Sequence, residues 1–313
     1  MSGECTVLRK LRKVSFVGCS GQPERLESRL AGIADLFELA GLNVSGSVVL
    51  DCGCGRGTTC CVLAALGVRE AHGLDTSEDV LASFWEHIGS LPAELRVRLF
   101  PVKGDARDLP YRDCRFDAVL MVEVASHVLR LGDALREAFR VLKPGGALLI
   151  SDGNNSLNPL TRARAIRRWE EKEEVRAPVR YQSYRALRAK WLTRRHPDAA
   201  PAVVTAIAAA TPGKLYQEVE DAYEAYVRNG VLPKGEYVRG TPAINPGGWY
   251  DDRLLNAFEL AEALRGIGFV AAQAVPYLGR STAFRRAVDN AYRALPGRAA
   301  MRLARGLKVI AIK

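Results

Sequence analysis

Apolar residues recur along this chain with two different spacings. Runs that are apolar throughout are typical of strands buried on both faces of a sheet, and segments with apolar residues three or four positions apart are typical of packed helices. The two kinds of segment alternate along most of the sequence, as in an α/β fold with a mainly parallel sheet. The predicted strands are 48–50, 71–75, 97–102, 116–122, 147–151, 269–275 and 306–312.

Helices with one apolar face are predicted between these strands. One begins at Pro23 and ends before Gly41, and another ends at Leu142, where Lys143-Pro144-Gly145-Gly146 follows. Glycine and proline at these positions are typical helix terminators. We therefore expect residues 1–45 to form an N-terminal helical cap ahead of the sheet.

A glycine-rich turn directly follows the first predicted strand. Asp51 is followed by glycines at alternate positions, Gly53, Gly55 and Gly57, and then by a small, apolar helix. Glycine permits the backbone angles of a tight strand-to-helix turn and lets a ligand touch the backbone. The spacing differs from the G-x-G-x-x-G dinucleotide fingerprint, and no Gly-Lys-Ser or Gly-Lys-Thr follows, which excludes a P-loop. The turn therefore indicates a cofactor site. The alternative is that it is a glycine-rich turn with a purely structural role in another kind of α/β protein.

Acidic residues follow the next strands. Asp75 ends the second strand ahead of a helix start at Thr76-Ser77-Glu78-Asp79, and Asp105 lies in Gly104-Asp105-Ala106 after the third. Glu123 follows the fourth strand. The carboxyl ends of parallel strands meet at one edge of the sheet, where open α/β sheets bind ligands. We expect these acids to line the same site.

The motif D-x-G-x-G-x-G and the five strands around it resemble the class I S-adenosylmethionine-dependent methyltransferases, of the small-molecule type found in bacteria. The resemblance covers residues 46–153 and implies a Rossmann-like seven-stranded sheet whose last strand is antiparallel, flanked by helices. It implies S-adenosyl-L-methionine as cofactor and S-adenosyl-L-homocysteine as product. The residues implied in cofactor binding are Asp51, Gly53, Cys54, Gly55, Gly57, Asp75, Thr76, Asp105, Ala106 and Glu123.

The resemblance also assigns roles to two of these acids. In the family, the acid that matches Asp75 holds the ribose hydroxyls, and the one that matches Asp105 receives the adenine amine. An N-terminal helix covers the cofactor or substrate in similar enzymes, and a helix that only packs on the sheet is the alternative here.

A long segment interrupts the family's order after the fifth strand. The helix that normally follows is delayed until after Asp252, so residues 154–250 are an insertion too long for an unstructured loop. Its pattern is mostly helical and rich in aromatic residues, and we predict a substrate lid; the alternative is that the aromatics only build its own core. The sheet domain then consists of 46–153 and 251–313.

Composition limits the function classes. The chain has 313 residues, 48% of them hydrophobic, and a net charge of +10. It contains no apolar run long enough to span a membrane, and its N-terminus does not resemble a signal peptide, so we expect a cytoplasmic protein. The segment from Arg162 to Arg195 contains twelve basic and four acidic residues. This excess of positive charge indicates an anionic partner.

Four of the seven cysteines crowd the glycine-rich turn: Cys52, Cys54, Cys60 and Cys61. Cys52 and Cys54 lie too close together for ordinary zinc-ligand spacing, and no matching Cys or His pair exists elsewhere. We predict small, reduced, buried side chains and no metal site.

His127, five residues after the fourth strand, is the candidate general base, because imidazole accepts a proton near neutral pH. Many family members have a histidine here whatever their acceptor, so its role stays open. The candidate acceptor-binding residues are Asn154, Asn155, Arg180, Tyr181 and Tyr184. Asparagines also build turns, and the face formed by Arg180, Tyr181 and Tyr184 is more typical of a solvated helix.

These features favour transfer of a methyl group to an oxygen or nitrogen of a small or medium-sized organic acceptor, including anionic ones. The first alternative is an RNA methyltransferase that uses the basic 162–195 segment. Against it, the fourth strand is not followed by the Asn/Asp-Pro-Pro-Tyr motif of many nucleic-acid amino-methyltransferases. The second alternative is a protein that binds the cofactor without activity. The sequence does not determine the acceptor or the oligomeric state.

Overall fold

A computed structural model describes residues 23–174, 183–214, 216–237, 253–277, 295 and 297–313. The chain divides into two compact units. The first, called the sheet unit, consists of Met1–Ala125, Arg130–Gly153 and Ala257–Lys313. The second, called the helical unit, consists of Ser126–Leu129 and Asn154–Asn256.

Seven strands form the sheet. They are β1 (Val48–Cys52), β2 (Glu70–Asp75), β3 (Leu99–Lys103), β4 (Phe116–Val122), β5 (Leu142–Asp152), β6 (Ala271–Tyr277) and β7 (Gly306–Ile312). Their order is β3-β2-β1-β4-β5-β7-β6, with β1 to β5 parallel and β7 antiparallel to both β5 and β6. The predicted seven-stranded Rossmann-like sheet with an antiparallel last strand is confirmed. The carboxyl ends of β2, β1, β4 and β5 therefore lie side by side at one edge.

Helices cover the sheet. In the sheet unit they are α1 (Pro23–Leu39), α2 (Thr58–Ala65), α3 (Glu78–Gly89), α4 (Ala93–Arg96), α5 (Leu131–Val141), α10 (Ala257–Ile267) and α11 (Gly297–Leu303). All five residues of β1 are buried, as expected for a strand covered on both faces. The face of α1 that carries Leu30, Ile33 and Phe37 is buried in the same core. Lys308 on β7 forms an ion pair with Asp35 on this helix.

The helical unit contains α6 (Pro159–Glu173), α7 (Tyr184–Arg195), α8 (Pro201–Ala210) and α9 (Tyr216–Asn229). Asn158 caps α6, since its side-chain oxygen accepts hydrogen bonds from the N–H groups of Leu160 and Thr161, both at 2.9 Å. One apolar cluster surrounds Trp169. A second is formed by α7, α8 and α9. The insertion thus has helices and a core of its own, while its role as a lid stays a prediction.

A charged network lies inside the helical unit. Arg188 is 1% exposed and pairs with Glu173, whose carboxylate also accepts a hydrogen bond from the Tyr237 hydroxyl. The Arg188 guanidinium also donates to the carbonyl oxygen of Ala208, at 2.8 and 3.1 Å. A buried ion pair requires such additional hydrogen bonds to offset its loss of hydration. Burial and the Glu173 contact raise the pKa of Tyr237.

Several predicted boundaries were wrong. β1 continues through Asp51 to Cys52, β3 begins at Leu99 because residues 93–96 form α4, and β6 runs two residues later than expected. β5 begins at Leu142, with an irregular register against β4 that accommodates the Lys143–Gly146 stretch. An apolar run marks burial, but the hydrogen bonds of the sheet decide where a strand begins.

Most of residues 278–305, which connect β6 to β7, and the first 22 residues of the chain lie outside the described residues. Within the part of the chain that the structure describes, no helix is both long and apolar enough to cross a bilayer.

Candidate functional site

The glycine-rich turn connects β1 to α2 and folds back on β2. The N–H groups of Gly53 and Cys54 both donate to the carbonyl oxygen of Leu74, at 2.7 and 3.0 Å. Gly53, Gly55 and Gly57 all have positive φ, at 70°, 56° and 77°. These angles lie in the region that side chains disfavour, so the predicted need for glycine in this turn has a direct structural cause.

The three glycines differ in their surroundings. A Cβ on Gly57 would stand 2.0 Å from Cδ2 of Phe84, and one on Gly53 would stand 2.5 Å from Cγ2 of Val124. At Gly55 nothing lies within 4 Å of the same position. Packing therefore excludes a side chain at Gly53 and Gly57. At Gly55, in contrast, no other group covers the backbone on the side where a side chain would lie. A ligand can approach the backbone there.

Asp75 is held rigidly at the carboxyl end of β2. Its two carboxylate oxygens accept hydrogen bonds from the N–H groups of Gly55 and Ser77, each at 3.0 Å. Ser77 caps α3 through Val80, as the predicted helix start requires, and Thr76 is exposed. A carboxylate has about four acceptor positions, so Asp75 can still accept from two hydroxyls.

Asp51 is buried within β1, 2% exposed. Burial raises the pKa of its carboxyl to about 7, although the nearby Arg29 guanidinium acts in the opposite direction. The Cys60 thiol donates a weak hydrogen bond to Asp51 at 3.8 Å. The side chain is thus poised between its neutral and charged forms at physiological pH.

Asp105 is engaged by a residue that the sequence analysis missed. The Arg107 guanidinium contacts both carboxylate oxygens, with its Nη2 2.6 Å from Oδ2 and its Nε 3.0 Å from Oδ1. These hydrogen bonds lower the pKa of Asp105. Ala106, which lies between Asp105 and Arg107 in the sequence, is buried. The carboxylate that the family resemblance assigns to the adenine amine therefore has an arginine partner in this structure.

Glu123 links the ends of β4 and β5. Its φ is 58°, uncommon for a residue with a side chain, and its Oε2 accepts a hydrogen bond from Gly153 N at 3.1 Å. The next residue, Val124, is the one that packs against Gly53. The strained backbone at Glu123 thus joins the glycine-rich turn to the loop after β5.

The four cysteines of the turn region are buried and free. Burial is the main cause that raises the pKa values of the Cys52, Cys54 and Cys60 thiols, which keeps them neutral and unreactive. Among the residues that the structure describes, no group of three or more His, Cys, Asp and Glu side chains is arranged to hold a metal ion.

The residues predicted to bind the acceptor or to act as base belong to the helical unit. His127 is partly buried in its short segment 126–129. The carbonyl oxygen of Asn154 accepts a hydrogen bond from Leu255 N at 2.7 Å. Asn155 is fully buried, and its side-chain oxygen accepts from Leu157 N at 3.0 Å, which is a turn-forming contact.

The predicted Arg-Tyr face is only partly described. Tyr184 is 5% exposed and packs with Trp169 and Tyr237, as in the alternative in which the aromatics build the insertion's own core. Arg180 and Tyr181 lie outside the described residues. The contribution of these residues to acceptor binding stays a prediction.

The described site fits S-adenosylmethionine. Two fixed acids, Asp75 and Asp105, follow adjacent strands and can accept hydrogen bonds from a ribose and an adenine. The bared backbone at Gly55 lies directly beside Asp75, which accepts its N–H. The sequence predicted this set because its members stand at strand ends or in the turn that follows β1, and their contacts with the cofactor stay a prediction. It missed Arg107, for which the two-residue spacing from Asp105 was the available signal.

Comparisons with known proteins agree with this assignment. Residues 50–150 match a family described as "Methyltransferase domain". The chain is 31% identical over 183 residues to the chloroplastic 2-phytyl-1,4-beta-naphthoquinone methyltransferase of Arabidopsis thaliana, which covers 51% of this chain and 68% of that protein. It is 32% identical over 187 residues to the fatty-acid O-methyltransferase of Mycolicibacterium smegmatis, covering 59% of this chain and 63% of that protein.

A solved structure shows the same fold. The crystal structure of a candidate S-adenosylmethionine-dependent methyltransferase from Listeria monocytogenes aligns with a TM-score of 0.51 and 12% identity, covering 93% of this chain and 99% of that one. At this identity the likeness concerns the fold alone. Sheet order, site geometry and the relatives together show that this chain belongs to the class I S-adenosylmethionine-dependent methyltransferases, with S-adenosyl-L-methionine as its cofactor.

Proposed function

We propose that this enzyme transfers the methyl group to an oxygen or nitrogen of a small or medium-sized organic acceptor, which the helical unit recognises. The observation that carries the proposal is that residues 154–256 belong to a separate compact unit. The chain enters its longer segment at Asn154, two residues after β5 ends at the carboxyl edge of the sheet, where the proposed cofactor acids stand. Inserted segments at this edge are well placed to select a substrate.

The two relatives support this acceptor class. By their names, one methylates a naphthoquinone and the other a fatty acid, and both are organic molecules with long apolar parts. An anionic acceptor would find partners among the exposed arginines of α6 and α7.

The cofactor, when bound, supplies an electrophilic methyl group on a positively charged sulfur. The protein's task is then to hold the acceptor atom in line with that group, which is an effect of positioning. A proton must leave only when the acceptor is a hydroxyl or a protonated amine. We propose that His127 accepts it. Asn154, Asn155, Arg180, Tyr181 and Tyr184 are kept as proposed acceptor-side residues.

RNA is the alternative acceptor, and the exposed basic residues of α6 and α7 favour it. They include Arg162, Arg164, Lys190 and Arg194. Other arginines of the same segment are engaged within the helical unit, since Arg188 pairs with Glu173 and Arg185 with Glu174. The excess positive surface is smaller than the residue count suggests, which favours a small acceptor.

The test is methyl transfer from labelled S-adenosylmethionine into fractionated lysate, with small organics, protein and RNA separated afterwards. We expect nuclease-resistant label in the organic fraction. Label that disappears after ribonuclease treatment would replace this proposal with the RNA acceptor. Asp75→Asn, which removes a proposed contact with the cofactor, is the matched negative control. His127→Gln should slow transfer to a phenol, which must lose its proton, and should leave transfer to a carboxylate, which has none to lose, unchanged.

A further inference from the structure

Two residues of α5 hold the loop that follows Asp105. Oε2 of Glu137 accepts a hydrogen bond from the N–H of Leu109 at 2.8 Å. The Arg140 guanidinium donates to the carbonyl oxygens of Leu109 and Tyr111, at 3.0 and 2.7 Å. Side chains of one helix therefore bind the backbone of this loop at both residues. We call Glu137 and Arg140 the α5 clamp.

The two members of the α5 clamp also fix each other. Nε and Nη2 of Arg140 donate to the two carboxylate oxygens of Glu137, at 2.8 and 2.7 Å. These hydrogen bonds lower the pKa of Glu137, so its carboxylate is ionised at neutral pH. Nη1 of Arg140 also contacts Oδ1 of Asp113, farther along the loop, at 2.8 Å. A bidentate pair of this kind has a defined geometry, which makes it a firm point of attachment.

A tight turn connects the clamped residues to Asp105. The N–H of Asp108 donates to the carbonyl oxygen of Asp105 at 3.1 Å, and Leu109, the next residue, is buried. On the other side of Asp105, the N–H of Gly104 donates to the carbonyl oxygen of Asp75, also at 3.1 Å. Asp105 is thus held between one attachment on β2 and a second on α5.

The position of the Asp105 carboxylate matters for the contact that the family resemblance assigns to it. Hydrogen bonds weaken steeply when their distance or angle departs from the optimum. A group that is already in place when the ligand arrives costs less to order on binding. Packing alone does not account for the α5 clamp, because α5 is buried through a separate apolar face that includes Leu135, Ala138 and Val141.

We propose that Glu137 and Arg140 are positioning residues for the cofactor, which hold the Asp105 carboxylate where it selects the adenine amine. They act through the backbone of the loop. The proposal rests on the cofactor assignment and on the adenine contact of Asp105, and it is independent of the acceptor. A purely structural ion pair would affect binding of the whole ligand, whereas the α5 clamp should affect recognition of one functional group.

The experiment is isothermal titration calorimetry with S-adenosylhomocysteine and with the analogue in which hydrogen replaces the adenine amine. We expect the wild-type protein to bind S-adenosylhomocysteine about 10- to 100-fold more tightly, the range for a hydrogen bond to a charged group. Glu137→Ala removes the acceptor for Leu109 N–H and the carboxylate that holds Arg140. It should reduce this preference by about tenfold, while the affinity for the analogue changes by less than about threefold.

Two variants serve as controls. Glu137→Gln keeps a side-chain oxygen that can accept from Leu109, and it should retain the preference within about threefold. Arg136→Ala removes an exposed arginine of the same helix, which pairs with Asp133 at the i,i+3 spacing, and should leave the preference unchanged. Circular dichroism and thermal unfolding without ligand establish whether each variant is folded.

A second test variant covers the case in which Glu137→Ala does not fold. Arg140→Lys keeps the positive charge but lacks the planar fork that joins Glu137 to the two loop carbonyls. It should reduce the preference by at least about threefold. An unchanged preference in this variant would count against the proposal in the same way as in Glu137→Ala.

Four results would overturn the proposal. If Glu137→Ala weakens both ligands by the same factor, the α5 clamp only stabilises the sheet unit. If it changes neither affinity, the loop holds Asp105 without the clamp. A wild-type protein that binds both ligands equally would show that Asp105 does not select the amine, with the cofactor assignment intact. Failure to bind either ligand would remove the cofactor assignment itself, which is distinct from the other three results.

Discussion

Replacing Asp51 with asparagine should stabilise the cofactor-free protein at neutral and alkaline pH. Asparagine has nearly the shape of aspartic acid but does not ionise, so it removes the cost of a charge inside β1. The buried position of Asp51 and the rise of its pKa to about 7 are the reasons for this expectation. The same change should weaken cofactor binding, because the ionised acid favours a cationic ligand.

The magnitude follows from the pKa difference. The carboxyl titrates at 3.8 without its surroundings and at about 7 in the folded protein. A carboxyl with a raised pKa stabilises the fold fully below its unfolded pKa and loses that contribution as the pH rises through the folded value. The loss is about 1.4 kcal/mol per pH unit between the two values, or about 4 kcal/mol in total. Between pH 5 and pH 7 the wild-type protein should lose about 2 kcal/mol that the variant keeps.

The assay is urea unfolding of both proteins at several pH values from 5 to 8. The quantity of interest is the difference between their free energies of unfolding, because other titrating groups affect both proteins alike. That difference should grow in favour of Asp51→Asn as the pH rises. A difference that stays constant over this range would refute the reasoning, since it would mean that the folded carboxyl does not titrate near pH 7.

Asp117→Asn is the matched control, with the opposite expected sign. Burial acts to raise the pKa of Asp117, but hydrogen bonds from Lys143 Nζ and Val48 N, at 2.7 and 2.8 Å, lower it overall. The carboxylate therefore stabilises the fold at neutral pH, and this contribution is lost as the pH falls through the lowered pKa. Removing this charge should destabilise the protein at pH 8, where removing that of Asp51 stabilises it.

Three further predictions test other parts of the structure. Gly57→Ala should lower the free energy of unfolding by about 2–4 kcal/mol in urea titrations, because Gly57 has positive φ and the new Cβ would overlap the ring of Phe84 on α3. Gly55→Ala, with the same sign of φ but open space around the Cβ, should cost only about 1 kcal/mol. Arg107→Gln should tighten binding of S-adenosylhomocysteine in calorimetry by roughly 2- to 10-fold, because the adenine amine would no longer compete with a guanidinium for Asp105. Weaker binding would mean that Arg107 orients the Asp105 carboxylate for the ligand. Glu173→Gln should destabilise the helical unit by about 3–5 kcal/mol, because the buried Arg188 guanidinium loses its counter-charge. Tryptophan fluorescence should then show unfolding at a lower urea concentration, and an unchanged transition would contradict this expectation.

The type and order of the elements in the first half of the sheet were predictable from local patterns. Val48, Val49 and Leu50 are buried as their apolar run indicates, and the glycines after Asp51 have the positive φ that their spacing suggests. These features depend on neighbours along the chain, which the sequence shows directly. Boundaries were less certain. The limits of β3 and β5 depend on α4 and on the pairing with β4, which are not local.

The cofactor acids were predictable for a related reason. Asp75 stands at the end of an apolar run, and the parallel topology brings that end to the binding edge. Arg29 gave no such signal, since Thr59, the residue to which its guanidinium donates a hydrogen bond, is 30 positions away in the sequence. Tyr184 shows the converse, because an aromatic residue in a basic segment suits a binding face or a core equally well.

The sequence by itself determined the fold class, the glycine-rich turn and the positions of the acids proposed to bind the cofactor, because each depends on the identity of a residue and its place in a strand or turn. Only the tertiary structure decided which charges are compensated: Arg188 pairs with Glu173 inside the helical unit, and Arg107 pairs with Asp105. The physical reason is that hydrophobic patterning specifies that a face is buried, while electrostatic pairing depends on what the fold places opposite it.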